Sequence, residues 1–232
     1  KLFEVEIAEA KKLSTKDNWD CIIPSSGGKD STAQAFIVKE FGLNPLIVTA
    51  TTCDLSEIGR KNIENLKKSF DTIEISPQKE VRKKLNKICL ETLGDISWAE
   101  HVAIFTQPIQ IAAKLNIKLI FYGEQPQFEY GGPIRPDANI MDREWMEEFG
   151  GFLGFRVSDL INHYGFKRKE LLPYIYPDQN IIKEKKIKAI FMGYYFDWNN
   201  QENYKISERN GFTPFKNAIE GGNLSYEKID NH

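Results

Sequence analysis

Five short apolar runs punctuate this chain: Asp20 to Pro24, Leu46 to Ala50, Thr72 to Ile75, Ile117 to Tyr122 and Ala189 to Tyr194. Between them lie longer stretches with helical periodicity. A short apolar run that stops at small or turn-forming residues reads as a buried strand. Strands separated by helices pair in parallel through right-handed crossovers. The alternation therefore predicts an α/β fold: a doubly wound, parallel five-stranded sheet with helices around it.

The intervening helices can be placed. Asp30 to Phe41 sets Ala33, Phe36, Ile37 and Phe41 on one face and closes at Gly42. Ile58 to Phe70 carries Ile58, Ile63, Leu66 and Phe70 as its apolar stripe. Pro77 opens a basic helix that reaches Leu93, and a further helix runs from Trp98 to Leu115 with a bend expected at Pro108. Residues 1–19 read as an N-terminal extension, and 20–232 as one domain, since no linker composition divides them. Between the fourth and fifth strands, 125–177 is a long insertion rich in Gly, Pro and aromatics. It leaves the sheet at the carboxyl edge of the strands, where substrate walls are commonly built.

Composition removes several function classes. A formal net charge of −2 gives no overall electrostatic footprint for nucleic acid, and the basic run from Lys183 to Lys188 reads as a solvated helix end. Cys21, Cys53 and Cys89 form no CxxC pair and have no histidine at ligand spacing. That argues against a disulfide framework or a zinc cluster and fits a reducing, cytoplasmic compartment. No run approaches the ~18 apolar residues of a membrane helix, and no signal peptide is visible, so no membrane partner is expected. The first residue is Lys1, so the natural N-terminus is expected upstream, and a further C-terminal segment is expected too.

The chemistry concentrates where the first strand meets the first helix, in Ser25-Ser26-Gly27-Gly28-Lys29-Asp30-Ser31. Free N–H groups and the positive helix end converge there. Two glycines let backbone approach an anion closely, Lys29 adds a full charge, and the serines add hydroxyl donors. Everything suits a phosphate except Asp30, whose carboxylate reads either as a helix N-cap or as a holder of Mg²⁺ on the phosphates. Neither the spacing of a Walker A loop nor the GxGxxG of dinucleotide folds is present.

The SGGKDS sequence resembles the pyrophosphate-binding loop of the PP-loop ATP pyrophosphatase superfamily. That resemblance implies ATP as cofactor, split into AMP and pyrophosphate, with AMP activating a carbonyl or amide oxygen for a nucleophile. It also implies that adenine packs at the end of the second strand, Thr49 to Asp54, with Ala50, Thr51 and Gly123 beside the nucleotide. Further stretches are similar to the N-acetyl sugar amidotransferase family: Gly42-Leu43-Asn44-Pro45, Glu57-Ile58-Gly59-Arg60, Phe121 to Gly132, Trp145 to Gly151, and Gly193-Tyr194-Tyr195. The implied reaction converts the acetamido group of an acidic N-acetylated sugar to acetamidino, for surface polysaccharide or flagellin glycan. Ammonia would come from a separate glutamine amidotransferase subunit.

Within that reading Lys29 stabilises the departing pyrophosphate. Glu124, at the tip of the fourth strand, binds Mg²⁺, orients substrate or accepts a proton from ammonia. Arg135 and Arg156 are candidate holders of a substrate carboxylate or phosphate, and His101 is a minor candidate. Two alternatives stay open. A tRNA-thiolating PP-loop enzyme would want a basic surface and a cysteine pair. A non-catalytic adenylate-binding module would bind without turnover.

Overall fold

The computed structural model describes residues 2–14, 17–51, 55–123, 139–141, 143–149 and 151–215. Its centre is a parallel sheet of β1 (Cys21–Pro24), β2 (Pro45–Ala50), β3 (Thr72–Ile75), β4 (Leu119–Tyr122) and β5 (Lys188–Phe191), ordered β3-β2-β1-β4-β5. The fold is the expected α/β class. The fifth strand is shorter than the run that announced it. It stops at Phe191, and Met192–Tyr194 coils into a 3₁₀ turn. The outer edge of β5 is covered by 139–141, where Met141 N–H donates to the Ala189 carbonyl at 2.8 Å and Phe191 N–H to that of Asn139 at 2.9 Å. Covering an edge in this way removes unpaired backbone groups that would otherwise recruit another strand.

Side chains alternate across the sheet, as the two-residue repeat of a strand requires. Ile22, Leu46, Val48, Ile120, Tyr122 and Phe191 pack toward α4 (Lys79–Leu93) and α5 (Trp98–Leu115). Cys21, Ile23, Ile47, Phe121 and Ile190 pack on the other face, with α1 (Leu2–Leu13) and α2 (Lys29–Glu40). The stretch before residue 20 thus contributes a helix whose Phe3 and Ile7 are buried in that second core. After β2 comes α3 (Glu57–Leu66), begun by Ser56, whose hydroxyl accepts from Gly59 N–H at 3.0 Å and so caps it. Past β4 come α6 (Arg143–Glu148), α7 (Val157–Tyr164) and α8 (Gln179–Glu184), and α9 (Asn200–Arg209) follows β5.

Two helices differ from expectation for clear reasons. The buried arc of α2 is Thr32, Ala33, Gln34, Ala35 and Val38, while Phe36 and Ile37 are half-buried. This helix lies between the sheet and α9, so small residues face both neighbours and the large ones move to the margin. The helix α5 continues through Pro108. Proline has no N–H for the carbonyl one turn back, and here the Ile104 carbonyl accepts from the Tyr122 hydroxyl at 3.3 Å instead.

Candidate functional site

The chain leaves β1 for β2 on one side and later returns to β4 on the other. The carboxyl end of β1 is therefore a topological switch point, the place where open α/β sheets form a ligand crevice. Residues 25–28 stand there. Ser25 N–H donates to the Val48 carbonyl at 3.0 Å, so the loop starts in register with β2. Its hydroxyl accepts from Gly27 N–H at 3.1 Å and donates to the Ser31 hydroxyl at 2.9 Å, which donates to the Gly28 carbonyl at 3.3 Å. Gly27 has φ +84°, and a Cβ there would stand 2.8 Å from Ile63 Cγ1 of α3. Both the backbone and the space demand glycine.

Gly28 is the N-cap of α2, with extended backbone and no side-chain cap. The N-cap reading of Asp30 is thereby corrected: Asp30 lies in the first turn, where the helix end favours a carboxylate, but it caps nothing. Its Oδ2 accepts from Lys29 Nζ at 2.5 Å, and its Oδ1 accepts from Asn203 Nδ2 of α9 at 2.8 Å. Lys29 and Asn203 are both buried. A buried ammonium needs a counter-charge, and Asp30 provides it while Asn203 fixes the carboxylate. The first-turn N–H groups of an uncapped helix lack intrahelical partners. Those donors, Lys29 and the Cβ-free stretch Gly27-Gly28 fit an oxyanion such as phosphate.

Neighbouring contacts tie this loop to the strand ends. Gln34 Nε2 of α2 donates to the Phe121 carbonyl at 2.5 Å. A Cβ on Gly123 would stand 2.7 Å from Trp198 Cζ2 and 3.1 Å from Gln34 Oε1, so Trp198 lies against bare backbone just past β4. At the end of β2, Ala50 is half-buried and Thr51 N–H donates to the Ile75 carbonyl at 3.0 Å. The Thr51 carbonyl accepts from buried Arg82 at 2.5 Å. Arg82 also pairs with Glu100, its Nε at 2.9 Å. One arginine thus joins α4, α5 and the carboxyl end of β2.

Of the expected residues, Ser25, Ser26, Gly27, Gly28, Lys29, Asp30 and Ser31 form one cluster, with Asn203 added by tertiary contact. Glu124, Arg135 and Cys53 lie outside the described residues. Arg156 is paired with Glu147 at 3.0 Å and Glu148 at 2.6 Å. His101 Nδ1 stands 3.6 Å from Asp95 Oδ2, in the turn between α4 and α5. The described cysteines are poor nucleophiles. Burial, reinforced by Asp20, holds the Cys21 thiol well above its ordinary pKa, and burial with Asp95 and Glu100 pushes Cys89 up to about 12, the reverse of what a reactive thiol needs. Asn203, Gln34, Trp198 and Arg82 escaped the sequence reading, since each belongs to no motif and gains its place only through packing.

Comparison with models of known protein families gives no match, and comparison with curated proteins gives none. No helix among the described residues is long and apolar enough to cross a membrane. The fold and the loop define a class: an α/β protein with a Rossmann-like, all-parallel five-stranded sheet whose serine- and glycine-bearing loop stands at the switch point.

Proposed function

We propose that this chain is an ATP-dependent, AMP-forming enzyme of the PP-loop type, and within that type an N-acetyl sugar amidotransferase. The observation that carries the reading is the junction of β1 and α2. A Gly-Gly turn runs into an uncapped helix end, with a buried Lys29, at the switch point of the sheet. Such a junction suits the triphosphate of a nucleotide. Lys29 would turn from Asp30 to the phosphates, and the Asp30 carboxylate, still held by Asn203, would hold Mg²⁺ on them. ATP supplies the activation that an amide needs. The amide oxygen attacks the α-phosphorus and pyrophosphate leaves; ammonia adds to the activated carbon, AMP departs, and the amidine remains. Glu124 is the proposed proton acceptor from ammonia, which a glutamine amidotransferase subunit supplies. The sugar-specific part of the proposal rests on the resemblance of the motif-bearing stretches around β4, α6 and the end of β5.

The test is direct. The chain is incubated with ATP, Mg²⁺, ammonium and N-acetylated sugar acids at raised pH, and AMP and an acetamidino product are measured by mass. Lys29→Ala is expected to abolish AMP formation. Lys29→Arg keeps a charge opposite Asp30, so it should melt near wild type and still fail, because a planar fork does not replace a compact ammonium in a tight loop. Nucleotide binding without AMP would favour the adenylate-binding module instead. Wild-type turnover by Lys29→Ala would remove the loop from the chemistry.

A further inference from the structure

The first turns of α4 send a buried charge back to the sheet. Arg82 is 5% exposed. Its Nη1 donates to the Thr51 carbonyl at 2.5 Å, while Nε at 2.9 Å and Nη2 both donate to Glu100 Oε1 of α5. Asn86 Nδ2 donates to the same carboxylate oxygen at 3.4 Å. The other buried side chains of α4, Val81, Leu85 and Cys89, are apolar. A buried ion pair is no strong source of stability by itself, since apolar side chains of similar volume commonly serve as well or better. This pair does one thing that an apolar contact cannot: it fixes a backbone carbonyl at the carboxyl edge of the sheet.

That carbonyl stands just past β2. Thr51 N–H donates to the Ile75 carbonyl at 3.0 Å, so with Arg82 on its oxygen both backbone polar groups of Thr51 are held. The candidate loop lies next door, where Ser25 N–H donates to the Val48 carbonyl at 3.0 Å. Neighbouring strands are about 4.8 Å apart. The β2 end is therefore one strand spacing from the loop, within reach of the ribose and base of a nucleotide whose phosphates sit there. On the other side of β1 is β4, and Gly123 past its end is buried with Trp198 against it. Ala50 and Thr51, by contrast, keep part of their surface exposed. Of the two strand ends flanking the loop, the β2 end is the one with described surface to offer a base.

We propose that Arg82 is a positioning residue for the nucleotide: through the Thr51 carbonyl it holds the end of β2 as a preformed wall for the base. The proposal rests on the nucleotide reading of the β1–α2 loop. Glu100 neutralises the guanidinium and keeps it turned toward the strand. A wall fixed before binding spares the complex the entropy of ordering it. The hydrogen bonds of Arg82 go to Thr51 and Glu100, not to residues 25–31. Its effect therefore falls on ligands that carry a base and leaves bare phosphates alone.

Calorimetric titration of the full chain with Mg²⁺ tests this with two probes, ATP and inorganic tripolyphosphate, which has phosphates but no base. Arg82→Met/Glu100→Gln removes both charges and leaves an acceptor for Asn86. It melts close to wild type, because no buried charge is stranded. It weakens ATP by roughly 10-fold, the scale of ordering about one residue on binding, and leaves tripolyphosphate unchanged. Arg82→Lys keeps a charge opposite Glu100 without the fork, so it loses less ATP affinity with the same selectivity. That variant decides alone if the double one fails to fold. Equal weakening of both probes would reduce Arg82 to a structural prop, and ATP affinity unchanged in the variants would remove it from the site; either result overturns the proposal while the loop reading stands. A wild type that binds neither probe overturns the nucleotide reading and this proposal with it.

Discussion

At the scale of single residues, the site is held by a chain of three side chains, Lys29, Asp30 and Asn203. The first two are adjacent in sequence, and the third arrives from the last described helix. Asp30 carries the conflict that the proposed phosphate-binding role must solve: its carboxylate repels an anion but neutralises the ammonium beside it. Asn203, a neutral donor, fixes the carboxylate without adding charge. Asn203→Asp would set a second carboxylate where that donor stands, and a loss of ~1–3 kcal/mol is expected from urea midpoints. Adding Asp30→Asn to the same chain restores a donor–acceptor pair, so a double-mutant cycle should show favourable coupling of about 0.5–3 kcal/mol. Strict additivity of the two changes would show that Asn203 does not hold Asp30.

At the scale of elements, α5 shows how a helix tolerates proline when a neighbour takes over the missing bond. An interior proline costs ~3 kcal/mol relative to alanine, part of it through the carbonyl it leaves without a donor. The Tyr122 hydroxyl at the end of β4 reaches the Ile104 and Phe105 carbonyls, each at 3.3 Å. Strand and helix are thereby joined. Tyr122→Phe keeps the ring that packs on Phe105 at 5.1 Å and removes only the hydroxyl. The expected loss is about 1 kcal/mol, read as an earlier thermal midpoint with unchanged helix content by circular dichroism. An unchanged midpoint would mean that the proline is accommodated by the helix alone. The helix α2 illustrates a different rule: helical periodicity marks where apolar residues recur, but a helix packed on two sides buries its small residues.

At the scale of the molecule, the first helix belongs to the same core as the sheet. Phe3 meets Phe41, Phe121, Tyr195 and Phe196 at centroid distances of 5.2, 5.4, 5.6 and 4.7 Å. Glu6 accepts from Lys188 Nζ at 2.7 Å and from the Tyr195 hydroxyl at 2.9 Å, which ties α1 to β5 and the turn after it. Phe3→Ala should therefore cost about 3–5 kcal/mol, the usual loss for a buried phenylalanine, with one cooperative urea transition retained. A separate early transition, or a loss typical of an exposed residue, would show α1 to be a loosely attached appendage.

Local pattern determined much of this protein. The five strands were legible because a buried strand is a short apolar run whatever surrounds it, and Thr72 to Ile75 coincides with the observed β3. The loop at 25–31 was legible because glycine and serine between a strand and a helix have few other uses. Other features depended on residues distant in sequence and so left no local mark. Sequence periodicity does not rank strands in space; the doubly wound reading implied a switch point at β1 with the fourth strand beside it, and the packed sheet has the order β3-β2-β1-β4-β5. Trp198 against Gly123, Gln34 on the Phe121 carbonyl and Asn203 on Asp30 likewise exist only once α2, β4 and α9 are brought together. Hydrophobic pattern is a property of neighbours along the chain, whereas a polar contact at a site is a property of neighbours in space.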